Sequence, residues 1–266
     1  MKRFITYTLV LFSLILVSCS EYNEILKSTD NDKKYEYAIK YYNEKDYFKA
    51  EALLKDLLSI YKGTKRAEEI YYYYAYCHYG LQDYDYAAFH FKNYVKNFSK
   101  SDKTEEMHYM IAMCYTKLSP ESSLDQTYTL KAIQEFQLFL DKYPYTERKE
   151  DVNKKIDELR DKLEQKAYDL AYLYYKVEDF KAAIIAFKNV LMEYPDINNA
   201  EEIRFYIVDA SYKLAKNSVE NKKEERLANT LDAIKEFRRR HKDSQYNKEI
   251  ENIEKQTKKE LTLLQQ

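Results

Sequence analysis

Glycine and proline are almost missing from this chain, with two and three residues respectively among 266. Turn-rich β architectures use both as punctuation, so their scarcity argues for long helices joined by short connections. Tryptophan is absent, and cysteine occurs only three times, which excludes a disulfide framework even for an exported protein. Neither sign of charge dominates. Lys and Arg number 44 against 45 acidic residues, a net charge of −1, so there is no electrostatic footprint for nucleic acid. The apolar stretch from Phe4 to Val17 behind Lys2-Arg3 is too short to span a bilayer comfortably and has the size of a signal-peptide core. What the chain holds in excess is tyrosine, 30 residues of it.

The apolar stretch ends Leu16-Val17-Ser18-Cys19, after which the sequence turns polar and charged. These four residues resemble the bacterial lipobox, an aliphatic residue and two small ones before a cysteine. In that class of signals the thiol takes a diacylglycerol, the chain is cut before the cysteine, and the new amino group is acylated. The resemblance implies that residues 1–18 are removed and that Cys19, carrying diacylglycerol and an N-acyl chain, is the membrane anchor. Two or three acyl chains, at about 0.8 kcal/mol per buried methylene, suffice for stable attachment.

An internal repeat organises the rest. Counting from Asp46, Asp83, Tyr128 and Asp179, position +4 is Ala50, Ala87, Ala132 and Ala183, and +8 is Leu54, Phe91, Phe136 and Phe187. Position +15 is aromatic (Tyr61, Phe98, Tyr143, Tyr194), with Pro144 and Pro195 following the last two, and +22 is Glu68, Glu105, Glu150 and Glu201. A weaker fifth copy starts at Asn229, with Ala233 and Phe237 in place. Positions +4, +8, +11 and +15 fall on one helix face. The small residue admits a close partner helix, supplied by upstream pairs such as Tyr74-Ala75 and Leu170-Ala171. This is the tetratricopeptide pattern, an all-α helix hairpin that buries its apolar face only by stacking on neighbours into a superhelical α-solenoid.

The expected map has residues 19–32 as acylated N-terminus and polar tether or short N-terminal segment. Repeats one to three then fill 33–145, and repeats four and five with a capping helix fill 146–266. The helix pairs are expected at 33–43 with 47–61, 66–80 with 84–98, and 104–118 with 127–143. An extended helix over about 147–176 pairs with 179–194, and 199–216 pairs with about 224–241. Ile250, Ile253, Leu261 and Leu264 recur at helical spacing in the tail, as a capping helix requires.

No chemistry is written into this scaffold. His78, His90, His108 and His241 have no metal-ligand spacing, and no phosphate loop, paired acids or nucleophile elbow appears, so neither a catalytic nor a metal site is expected. Cys77 and Cys114 occupy matching positions of adjacent repeats and read as small buried core residues, with a pair or a bound group as the alternative. The run Tyr71 to Tyr74 faces all sides of one helix, so part of it is core and part is available to line a groove.

More specific than the repeat register is DQTYTLKAIQEFQLFLDKYP, residues 125–144, which resembles the third repeat of the BamD family, lipoproteins of the outer-membrane β-barrel assembly machine. LRDKLEQKAYDLAYLYY, residues 159–175, is similar to that family's long connecting helix, and EYPD at 193–196 closes the fourth repeat as the family does. Gly63-Thr64, in place of a proline-containing exit, and the drifted fifth repeat depart from the pattern. The resemblance implies an outer-membrane, periplasm-facing scaffold without catalytic activity or cofactor beyond its acyl chains. Its implied partners are the periplasmic domains of BamA, unfolded β-barrel proteins and other lipoproteins of the machine. Substrate contact is then expected on repeats one to three, with Tyr71, Tyr72, Tyr76 and Tyr79 as aromatic contacts. The BamA contact is expected on repeats four and five, with Lys181, Lys188, Arg204 and Arg238. A different envelope tetratricopeptide lipoprotein, for instance one coordinating peptidoglycan enzymes, shares the same register. A glycan-capturing lipoprotein is disfavoured by the lack of tryptophan.

Overall fold

The computed structural model describes residues 21–264, and the described residues contain helices and turns but no strand. Cys19 and the expected signal segment, residues 1–18, lie outside them. A helical stretch at 21–27 (α1) is followed by five helix hairpins. These are α2 (Asn31–Asn43) with α3 (Tyr47–Ile60), α4 (Arg66–Gly80) with α5 (Tyr84–Asn97), and α6 (Thr104–Leu118) with α7 (Thr127–Lys142). Then come α8 (Lys149–Lys176) with α9 (Phe180–Glu193), α10 (Ala200–Lys216) with α11 (Glu220–Arg240), and finally α12 (Asn247–Leu264). This is a tetratricopeptide-type repeat of hairpins. The chain forms two compact units whose border falls inside α8, between Leu159 and Arg160, with Glu121–Leu124 belonging to the second. The repeat register places a division at 145/146. The observed border lies later because Val152, Ile156 and Leu159, on the first turns of α8, are buried residues of the first unit.

The repeat register is the core register. Ala50, Ala87, Ala132 and Ala183 are fully buried, as are Leu54, Phe91, Phe136 and Phe187 four residues on. At +11, Leu57, Tyr94, Phe139 and Val190 are buried as well. The aromatics at +15 sit one step past each helix as its C-cap, the N–H of Tyr61, Phe98, Tyr143 and Tyr194 bonding the carbonyl of the +11 residue. Pro144 and Pro195 follow at the point where no further helical N–H is needed.

The turns explain how so few glycines suffice. Lys45, Gln82 and Glu178 all adopt left-handed backbone with φ of 62°, 63° and 62°. Each precedes the aspartate that starts the second helix of its hairpin. Asp46 N–H bonds Tyr41 O (2.9 Å) and Lys45 N–H bonds Tyr42 O (3.0 Å), closing α2 in a Schellman motif, and Asp83 and Gln82 repeat this on His78 and Tyr79. The aspartate then caps the next helix: Asp46 accepts from Lys49 N–H and Asp179 from Ala182 N–H. Gly63, at φ +79°, makes the exit of the first repeat that lacks its proline. Gly80 serves a different need, since a Cβ there would lie 2.4 Å from the Tyr47 ring.

Two of the four +22 glutamates acquire a role. Glu68 accepts from Ser101 (2.5 Å) and Tyr94 (3.0 Å), and Glu105 accepts from Thr146 (2.6 Å). Each thereby ties the start of one repeat to the loop that opens the next.

Residues 21–27 are not a polar tether. Ile25 is buried in the first core, flanked by Tyr22 and Leu26. Within the second unit, Ala171, Ala183, Phe187, Val190, Ile203 and Ile207 form one core, and α12 is docked by Ile250 against Val208, Ile234 and Phe237. Ile253 and Leu261 are half-buried, whereas Leu264 is exposed, so the seam of α12 opens before its last turn. Cys77 and Cys114 are buried free thiols, and burial pushes both up to about 12.

Candidate functional site

In the first unit, the four candidate tyrosines of α4 divide between two neighbours. Tyr72 and Tyr76, one turn apart, both donate to Glu106 Oε1 on α6, the former at 3.1 Å. Burial and that carboxylate push Tyr72 up to about 12 and Tyr76 far above the ordinary phenol range. Lys103 Nζ lies 4.0 Å over the Tyr72 ring. Tyr71 turns the other way, its hydroxyl 3.0 Å from His90 Nδ1 and its ring against Tyr74, Tyr94 and Phe98. Tyr79 packs edge-on to Tyr84. All four are half-buried, so each offers only part of a ring to any partner chain.

The pair on Glu106 is one rung of a series that the sequence reading missed. Tyr109 donates to Asp151 (2.9 Å) in the first unit. In the second, Tyr175 donates to Asp209 (2.5 Å) and Tyr212 to Gln256 and Glu260. Tyr35 with Glu69 and Tyr168 with Glu202 stand in the same relation, each phenol raised by burial and by its acid. In each case a tyrosine on the first helix of one hairpin reaches the first helix of the next, or, for Tyr212, the final helix α12. Tyr35, Tyr72 and Tyr109 recur every 37 residues, with an acid 34 on from the first two; that recurrence was the available signal. The series occupies seven of the 30 tyrosines: a long ring fills the gap between stacked helices while its hydroxyl finds a partner. Glu106→Ala should therefore cost about 1–3 kcal/mol, because two part-buried hydroxyls lose their acceptor. Urea denaturation checks this, and adding Tyr76→Phe should restore part of the loss; additive losses would contradict the shared rung.

The second unit carries a cleft of about 760 Å³ walled by α9, α10 and α11. Its floor is apolar, including Ile184, Leu191, Ile207, Leu214 and Phe237. Three of the four expected basic contacts, Lys181, Lys188 and Arg204, line it together, joined by Arg226 and Arg240. Two acids, Asp232 and Glu236, are also present, and Glu236 is already engaged by Arg239 and Arg240. Those two arginines hold the Glu236 carboxyl down to about 2. Arg204 donates to Ala200 O, and burial, with Arg240 nearby, lowers its guanidinium below the usual range. Arg238 is not part of this wall. It pairs with Glu254 on α12 (2.6 Å), which fastens the final helix. Among the described residues there is no group of three or more His, Cys, Asp or Glu able to hold a metal ion.

The sequence profile described as "YfiO: Outer membrane lipoprotein" matches residues 27–227 and, overlapping, 163–262. The chain belongs to this family of outer membrane lipoproteins. It is the BamD family that residues 125–144 and 159–196 resemble. No curated protein matches the chain. Among solved structures, "TPR2AB-domain:pHSP90-complex of yeast Sti1" aligns with a TM-score of 0.40 at 13% identity, over 86% of this chain and 98% of that one. The family's lipoprotein character sits beside one structural fact: no described helix is long and apolar enough to cross a membrane.

Proposed function

We propose that the chain is a lipid-anchored scaffold subunit of the outer-membrane β-barrel assembly machine. Cys19 carries the acyl chains, and the folded part faces the periplasm, where it binds BamA and unfolded barrel proteins. The observation that carries this reading is the family match across most of the chain, from residue 27 to 262. Stacked hairpins with half-buried tyrosines and a basic-rimmed apolar cleft suit a protein that holds other polypeptides. Acyl anchoring would confine the scaffold to a surface and raise its effective concentration near the insertion machine.

Two measurements test it. Cys19→Ala should accumulate as an uncut precursor that takes up no labelled palmitate and fails to fractionate with outer membranes; normal processing and labelling would overturn the anchor. Cross-linking in cells followed by affinity capture should recover BamA. Recovery of peptidoglycan enzymes without BamA would assign the chain to a different envelope scaffold.

A further inference from the structure

The cleft of the second unit has a chemistry specific enough to name its occupant, and this inference rests on the scaffold reading. Along α9, Lys181, Ile185, Lys188 and Met192 recur at helical spacing on one face bordering the cleft. Ile185 is 53% exposed and Met192 77%, so two large apolar side chains stand uncovered in alternation with two lysines. Among the described residues neither lysine has an ion-pair partner, whereas Arg238, Arg239 and Arg240 across on α11 are all paired. The α9 wall is thus an apolar stripe with two uncommitted cations.

The spacing selects the shape of what lies there. Seven residues on a helix separate the two ammonium groups by roughly 10 Å along the axis. A partner helix beside α9 matches this with carboxylates seven residues apart on one face. An extended chain covers the same distance in about three residues, which puts the two carboxylates on opposite faces. The structure therefore points to an amphipathic helix as the occupant: an apolar stripe set into the Ile184–Leu191–Phe237 floor, and acidic residues two turns apart facing Lys181 and Lys188. Helix-in-groove docking of this kind takes its affinity from the apolar anchors and its orientation from the charges.

The test uses the purified full chain and two fluorescent amphipathic peptides of about five turns, sharing a leucine stripe but carrying either glutamates or lysines seven residues apart. Anisotropy titration at low salt should show the glutamate peptide binding at least tenfold tighter. Lys181→Glu with Lys188→Glu, both at exposed positions, should reverse that order without changing the melting midpoint. Ile185→Asp should weaken both peptides. Equal affinity for the two peptides, or an order unmoved by the double charge reversal, overturns the proposal. The peptide titration and the BamA capture fail independently. Captured BamA with no peptide preference leaves the scaffold reading standing and removes the helix. A charge-reversible preference without BamA keeps the helix site and removes the barrel-assembly reading.

Discussion

Ala87→Glu should destabilise the chain by about 3–5 kcal/mol, enough to abolish cooperative unfolding of the second hairpin. Ala87 is fully buried on α5, in a core with Ala75, Phe91, Tyr94 and Met107. Helices pack there at the distance a methyl group allows, and the surrounding rings of Tyr71, Tyr76 and Tyr84 are themselves in contact with that core. A glutamate must either enter an apolar site with its charge unpaired or push α4 and α5 apart, losing the contacts of both faces. Two residues along, Phe89 is 58% exposed; Phe89→Glu puts the same charge on the same helix and should change stability by less than about 1 kcal/mol. Circular dichroism melts of the pair separate the two cases. Equal melting midpoints would mean that the +4 alanine is not a packing position, and the repeat register would lose its physical basis.

That register was the most legible feature of the sequence because it is local. A small residue, an aromatic and a hairpin stop at fixed offsets are enforced by neighbours within one or two turns, so Ala50, Phe91 and Phe136 announce a buried face before any coordinates exist. Long-range polar geometry left a weaker trace. The +22 glutamates recurred visibly, yet that Glu68 reaches Ser101 and Glu105 reaches Thr146 depends on loops folding back over more than 30 residues. The tyrosine rungs are similar: Tyr72 and Tyr76 read as aromatic contacts for a partner chain until α6 brings Glu106 to both hydroxyls. Surface charges were hardest to assign. Lys181, Lys188 and Arg204 do share a cleft, but Arg238 spends its charge on Glu254, a residue of a helix sixteen positions downstream. At the N-terminus a single buried isoleucine, Ile25, turns a polar segment into part of the core, and composition averages such a residue away.

Acidification from pH 7.5 to 5 should lower stability in a window set by histidines. His78 and His90 lie ring on ring, centroids 4.9 Å apart at 15°, among Tyr71, Tyr74, Tyr86 and Phe89. Among the described residues, neither nitrogen of His78 nor Nε2 of His90 has a hydrogen-bond partner. Burial, then the neighbouring His78, holds His90 down to about 4. Burial also lowers His78, opposed by Glu51 and by Asp83, whose Oδ2 is 3.9 Å from Nδ1, and reinforced by Lys55. His108 and His241 are lowered by burial too, with Lys142 beside the first and Arg204 beside the second. All four rings therefore bind protons more weakly folded than unfolded. The unfolded chain takes up more protons below the ordinary histidine value of roughly 6.5, so stability is fully present above it and falls as pH drops toward about 4. For His90 alone the loss is on the order of 2 kcal/mol once partial exposure is allowed for. The exposed carboxylate of Glu236, held near 2 by its arginines, gives up its contribution between the ordinary value of 4.5 and about 2, so its loss falls below the pH 7.5–5 range over which the histidines act. Urea midpoints measured at pH 7.5, 6 and 5 should decline from about 6.5 downward. His90→Phe, which keeps a ring among rings and removes the most strongly lowered of the four groups, should make the decline shallower. A midpoint that stays constant across the range would mean that the stacked pair opens to solvent at no cost, and that the core of the second hairpin is looser than its burial implies.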